Sequence, residues 1–178
     1  MQKIVLTFGL IAGAMLSAMM LATLPFLDKI GFGTGEVIGY TTMVLAFLMV
    51  YFGVRSYRDN VAGGHVGFGR AFVVGLTITF IASACYVATW EVIYYRVAPD
   101  FGDKYAAAMV EKVRKSGASE AQVAAQLKEM QEFKELYKNP FFNVAITFLE
   151  PLPVGLVFTL VSAGVVSRRR RADAAAAA

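Results

Sequence analysis

Four stretches of this chain are each long and apolar enough to cross a lipid bilayer, which leaves few folds open. A helix rising about 1.5 Å per residue needs roughly 20 apolar residues to traverse a hydrocarbon core about 30 Å thick. The segments 4–27, 37–54, 71–97 and 141–167 meet that length, the second being the shortest, and Pro25 marks the end of the first. Inside hydrocarbon every backbone amide must find its partner within the protein, so runs of this length are read as helices. Composition agrees: 57% of the 178 residues are hydrophobic and only 17% are charged, with a mean hydropathy of +0.57, too apolar for an ordinary soluble domain.

Charge placement orients the spans. Of the 17 Lys and Arg residues, Lys3, Arg55, Arg58, Arg70 and the run Arg168, Arg169, Arg170, Arg171 fall on one side of the expected bundle, opposed only by Asp59 and Asp173. By the positive-inside rule that side is cytoplasmic, and so are both termini. The arginines there are placed to contact anionic lipid. On the other side Lys29 meets Asp28 and Glu36, and the insert 96–138 nearly balances its charges. The net charge of +4 is thus membrane anchoring, and no nucleic-acid partner is expected. The apolar run after Lys3 exceeds the length of a signal-peptide core, so a retained first span is expected.

Residues 99–138 change character, with frequent charges and dense alanine, interrupted at Ser116-Gly117-Ala118-Ser119. The pattern predicts an extracytoplasmic helical hairpin between the third and fourth spans. Pro99 suits a first helical turn, Gly117 a helix C-terminus, and Ser119 with Gln122 a capping box. Phe101, Tyr105 and Met109 form a stripe on the first arm, and Val123, Leu127, Met130 and Tyr137 form one on the second. The stripes make the hairpin's own seam or a groove for a partner. The expected fold is therefore all-α, one membrane domain over 1–171 with this hairpin, followed by a disordered alanine-rich tail, 172–178.

Small residues recur at helical spacing. Gly9, Gly13 and Ser17 form one ladder, and Gly75, Thr79 and Ser83 another. Either lets helix backbones approach closely, for packing within the bundle or for a homo-oligomer.

Polar residues inside spans are the candidate functional groups. Glu150 begins Glu150-Pro151-Leu152-Pro153 in the fourth span. A carboxylate is costly there, and Pro151 and Pro153, lacking an N–H, leave carbonyls one turn earlier without their usual donors. Measured from the inner ends of their spans, Glu91 lies about 30 Å up and Glu150 about 24 Å, both in the outer leaflet. Glu91 is placed to snorkel outward or pair with Arg96, while Thr89, Trp90, Tyr94 and Tyr95 fit an interfacial aromatic belt. Glu150 suits an inter-helix hydrogen bond or a site for a cation, proton or polar headgroup.

Other chemistry is sparse. The loop 57–70 contains several glycines and the single histidine, His65, but no strand precedes it and no Gly-Lys-Ser/Thr follows, so a flexible turn explains it better than a phosphate cradle. One histidine without nearby ligands does not make a metal site, and the lone Cys85 makes no internal disulfide. No cofactor or catalytic residue is expected.

The motifs Gly39-Tyr40, Ser56-Tyr57-Arg58-Asp59, Gly67-Phe68-Gly69-Arg70-Ala71-Phe72, Thr89-Trp90-Glu91, Asp100-Phe101 with Lys104-Tyr105, and Glu150-Pro151-Leu152-Pro153-Val154-Gly155 occur in this order. Together they resemble the small bacterial membrane proteins grouped as domain of unknown function 4199, over nearly the whole chain. The resemblance implies a bacterial integral membrane protein with four helices and carries no substrate, cofactor or catalytic residue; the expected location is the bacterial cytoplasmic membrane. Three function classes follow: an envelope interaction or assembly component using residues 100–138; a small oligomeric ion, proton or solute conduit using Glu150; and a membrane enzyme acting on lipid headgroups, with Glu91 and Glu150 as paired acids and Arg96 on phosphate.

Overall fold

The computed structural model describes the backbone of residues 1–176 and the side chains of residues 1–167. Among the described residues the fold is all-helical. Its helices are α1 (Gln2–Thr23), α2 (Leu27–Ile30), α3 (Phe32–Asn60), α4 (Phe68–Val92), α5 (Phe101–Lys115), α6 (Glu120–Tyr137), α7 (Pro140–Leu149) and α8 (Leu152–Ala176). A 3₁₀ turn, Leu24–Phe26, follows α1, and a π turn, Ile93–Val97, follows α4. Four stretches have the length and apolarity of membrane spans: Gln2–Ile30, Phe32–Asn60, Phe68–Val97 and Pro140–Ser167. The second is 29 residues long, not the shortest as its apolar core suggested, because the helix continues through the polar turn that contains Arg55, Arg58 and Asn60. α8 takes in the arginine run 168–171, whose side chains lie outside the described residues, and part of the segment expected as a tail; residues 177 and 178 lie outside altogether.

The chain divides into two compact units, Met1–Tyr86 with Phe148–Ala178, and Val87–Thr147. The first is a bundle turned inside out relative to a soluble domain. Its core holds Phe47, Val50, Val54, Val74 and Ile78, all fully buried, but also the small polar residues Thr79, Ser83, Thr159 and Ser162. Leu10, Phe80 and Val161 instead face outward, each more than half exposed. An apolar exterior around a close-packed interior with small polar residues is what helix association in lipid requires.

Both small-residue ladders are used inside this bundle, with α4 as the shared partner. A Cβ placed on Gly9 would lie 2.8 Å from Ile81 Cβ, and one on Gly13 would lie 2.6 Å from Cys85 Cβ. On its other side, α4 receives α8: Thr79 Oγ1 lies 3.3 Å from the Gly155 carbonyl, to which it donates, and 3.0 Å from Thr159 Oγ1. A Cβ on Gly155 would overlap Thr79 Cγ2, and one on Gly75 would press Thr159 and Val50. At the α3–α4 end, Gly63 and Gly64 (φ +64° and +85°) turn the loop before α4, a conformation other residues adopt only with strain. His65 there is exposed.

In the second unit, α5 starts at Phe101 with Asp100 as its N-cap residue, so Pro99 precedes the helix rather than entering its first turn. Gly117 (φ +80°) closes the α5 end. Ser119 and Gln122 form the expected capping box at the start of α6. α5 and α6 pack together around a groove of about 510 Å³ whose α5 side is built from Ala106, Ala107 and Val110 and whose α6 side includes Leu127 and Met130. The α5 stripe expected from Phe101, Tyr105 and Met109 is therefore rotated off the groove, because Phe101 packs edge-on against Trp90 with ring centroids 4.7 Å apart. Lys134 Nζ donates to Asp103 across the two helices, and this hydrogen bond holds the ammonium above the ordinary lysine range. α7 begins with Pro140 in its first turn, where a missing N–H costs nothing, and Asn139 Oδ1 accepts from Phe141 N at 3.0 Å.

Gly13→Ala is expected to lower the stability of the detergent-solubilised protein by about 1–3 kcal/mol through overpacking against Cys85. Gly39→Ala, where a Cβ meets nothing within 4 Å, is expected to be neutral or stabilising. Equilibrium unfolding in mixed micelles, followed by circular dichroism, distinguishes the two.

Candidate functional site

Each unit carries a polar constellation built around residues named from the sequence or close to them in the chain. In the first unit, α7 ends at Leu149 and α8 starts at Leu152, so Glu150 and Pro151 form the break the two prolines impose. The Leu149 carbonyl has no N–H four residues on, because that position is Pro153. Pro151 is buried and its carbonyl accepts from Gly155 N at 3.0 Å, restarting the helix. Pro153 and Glu150 are exposed. Tyr86 Oη donates to Glu150 Oε2 at 2.8 Å. Tyr86 was not singled out from sequence; its signal was a hydroxyl in an otherwise apolar stretch of the third span.

The arginines expected at the lipid surface differ from one another. Arg55 and Arg70 are exposed, whereas Arg58 is buried and donates from Nε to Asp59 Oδ1 at 2.6 Å. Asp59 also lies 3.6 Å from Arg55 Nε. Arg58 is thus engaged internally, unlike the exposed Arg55 and Arg70. Arg168, Arg169, Arg170 and Arg171 lie outside the described side chains.

The second unit holds a hydrogen-bond chain that sequence reading missed. Trp90 Nε1 donates to Tyr137 Oη at 2.9 Å, and Tyr137 Oη lies 2.9 Å from Thr147 Oγ1. Thr147 Oγ1 donates to Asn143 Oδ1 at 3.2 Å, so it accepts from Tyr137. Asn143 Nδ2 returns to the Tyr137 carbonyl at 3.4 Å, closing the circuit. Asn143 and Thr147 are buried on α7, one turn apart, where unpaired polar groups would be costly. That i, i+4 pair of polar residues in an apolar helix was the available signal. Tyr137, expected as part of an α6 stripe, is instead the hub, with Tyr94 edge-on to its ring at 5.3 Å and Phe133 stacked at 5.3 Å.

Beside this cluster, Glu91 is half-buried, and its Oε1 is enclosed without a hydrogen-bond partner. Arg96 is exposed, and among the described residues no ion pair joins the two, contrary to the pairing that sequence allowed. The π turn, closed by the bond from Ala98 N to the Ile93 carbonyl at 2.8 Å, lies between Glu91 and the start of α5. Such turns recur at functional sites. Glu91 and Arg96 belong to the second unit, and Glu150, Pro151 and Pro153 to the first. Among the described residues no group of three or more His, Cys, Asp or Glu side chains is arranged to hold a metal ion.

The family model described as a protein of unknown function, DUF4199, matches residues 7–168. The chain belongs to this family. The match runs through all four candidate spans and through α5 and α6, so both constellations lie within the DUF4199 region. No curated protein and no solved structure matches the chain.

Tyr137→Phe removes the acceptor of Trp90 and the donor to Thr147. Stranding these groups is expected to cost about 1–3 kcal/mol, with a shifted Trp90 emission maximum as the direct readout, since Trp90 is the only tryptophan in the chain.

Proposed function

We propose that this DUF4199 protein is a multi-pass component of the bacterial cytoplasmic membrane, with both termini in the cytoplasm, that acts in envelope interaction or assembly through an extracytoplasmic hairpin made by α5 and α6. The observation that carries this reading is the α5–α6 groove. Ala106, Ala107 and Val110 leave its α5 wall low, opposite Leu127 and Met130, while Asp103 and Lys134 close one end. An isolated pair of helices has little core of its own, and a groove that sets apolar residues beside Glu111, Arg114 and Gln131 suits a third, amphipathic helix packed as in a bundle. The concentration of arginine at the opposite ends of the spans supports the orientation.

A Cys85→Ala background carrying a single new cysteine at Ser116 is expected to react with a membrane-impermeant maleimide in intact cells. His65→Cys in the same background is expected to react only after permeabilisation. A photo-crosslinking side chain at Leu127 should then yield one discrete adduct with an envelope component, lost when residues 100–138 are replaced by a flexible linker. Labelling of the opposite pattern, or no adduct, contradicts the reading.

The Tyr86–Glu150 contact favours a second reading, an oligomeric ion or proton conduit in which Glu150 exchanges its partner. Wild-type proteoliposomes would then show flux that Glu150→Gln abolishes; flux equal to that of empty liposomes removes this reading.

A further inference from the structure

The hairpin buries almost none of its own side chains. No residue of α5 is buried, and Val123 is the one buried residue of α6. Leu127 is 46% exposed although it lines the groove between the two helices. A helix pair this open keeps an apolar face for further helices to cover.

The charges on the two arms favour one kind of cover. α5 carries Lys104, Lys112, Arg114 and Lys115 against Asp103 and Glu111, whereas α6 carries Glu120, Glu129, Glu132 and Glu135 against Lys128 and Lys134. The first arm is therefore basic by two charges and the second acidic by two, while residues 100–138 together balance at seven of each sign. A partner of strong net charge gains no attraction from a surface so balanced. A second hairpin gains at each contact where a basic arm meets an acidic one, and like arms side by side would repel.

Shape follows the same rule. Lys134 donates to Asp103, which sets these residues level across the hairpin. One turn further along, Met130 on α6 stands level with Ala106 and Ala107 on α5, and a turn beyond that Leu127 is level with Val110. All five line the groove. One surface thus holds a ridge from α6 and a low wall from α5 at matching heights. A two-fold axis along the groove lays each ridge on the other copy's wall and brings the second copy's acidic arm beside the basic one. Asp103 is exposed, so its carboxylate has room to accept from the Lys134 of either copy. A surface that carries both halves of the fit is what an isologous contact requires.

We infer that the occupant of the α5–α6 groove is the same hairpin of a second copy of this chain, an inference that rests on reading the groove as a helix-binding surface and names its partner. The four helices form a bundle in which each α5 lies between its own α6 and that of the second copy. A face about 22 Å long and two helices wide, about 20 Å, offers roughly 450 Å² per copy. The total of about 900 Å² is below that of a standard soluble dimer. Confinement to one membrane raises the effective concentration of the second copy, so the dimer forms in the bilayer and separates as lipid is added.

The purified full chain, with a photo-crosslinking side chain at Leu127, is reconstituted into phosphatidylcholine liposomes at a series of protein-to-lipid ratios, where no other protein is present. The expected product is an adduct of twice the chain mass, joined to residues 103–111 of the second copy, whose yield falls as lipid is added. Ala107→Trp fills the groove from an exposed position and is expected to lower that yield about ten-fold, the scale of an overpacked contact. Ala125→Trp, exposed on α6 and off the groove, is expected to leave it unchanged. Circular dichroism of both variants checks that the helices are retained. Absence of the double-mass adduct at the highest protein content overturns the inference. If the same side chain still captures a different envelope component in cells, the groove remains a helix-binding surface and only the second copy is excluded. An adduct that survives Ala107→Trp, or one joined to residues outside α5, also overturns it, because the copies would then meet elsewhere.

Discussion

The close approach of α1 and α8 to α4, beside their packing on α3, is the contact on which the membrane bundle depends. In lipid there is no hydrophobic gain from bringing two apolar helices together, so association rests on van der Waals packing and the few hydrogen bonds between helices. Gly9 and Gly13 let α1 meet Ile81 and Cys85, while Gly75 and Gly155 let α4 and α8 close on Thr79 and Thr159. The Thr79 hydroxyl then reaches both the Gly155 carbonyl and Thr159 Oγ1. Side chains at these glycines would separate the helices before those bonds could form. With both ladders consumed within the bundle, the outward surface is left to bulky residues such as Leu10, Phe80 and Val161.

Polar chemistry is pushed to where the bundle is interrupted. The proline break leaves Glu150 exposed, where Tyr86 Oη donates to its Oε2 at 2.8 Å. The π turn after α4 separates Glu91 from Arg96 and precedes the chain reversal into α5. In the second unit, the Trp90–Tyr137–Thr147–Asn143 circuit satisfies the polar groups that α7 buries. A closed circuit of this kind rigidifies the elements it joins, since each member loses its partner if another moves.

The spans were legible because a run of about 20 apolar residues has one economical solution in a bilayer. Their ends were not: hydropathy fades at Val54, but α3 continues to Asn60 because backbone hydrogen bonding does not depend on side-chain polarity and Asp59 pairs with Arg55 and Arg58. The capping box and Gly117 were readable from local chemistry. The rotation of the α5 stripe was not, since Phe101 turns toward Trp90, a contact between residues on different elements. Likewise Glu150 stood out as an acid in hydrocarbon, while Tyr86 is one hydroxyl in an apolar stretch whose partner only the fold supplies.

The central claim, a lipid-embedded bundle organised on α4, is tested most directly by a spin-label accessibility scan along residues 68–97 in liposomes. The account predicts oxygen access at Val73, Leu76 and Phe80 and protection at Val74, Ile78 and Ala82, which are exposed and fully buried respectively. It also predicts that a water-soluble relaxant reaches labels only near the two ends of the span. Access of that relaxant along the whole helix, or oxygen access without helical periodicity, would contradict it.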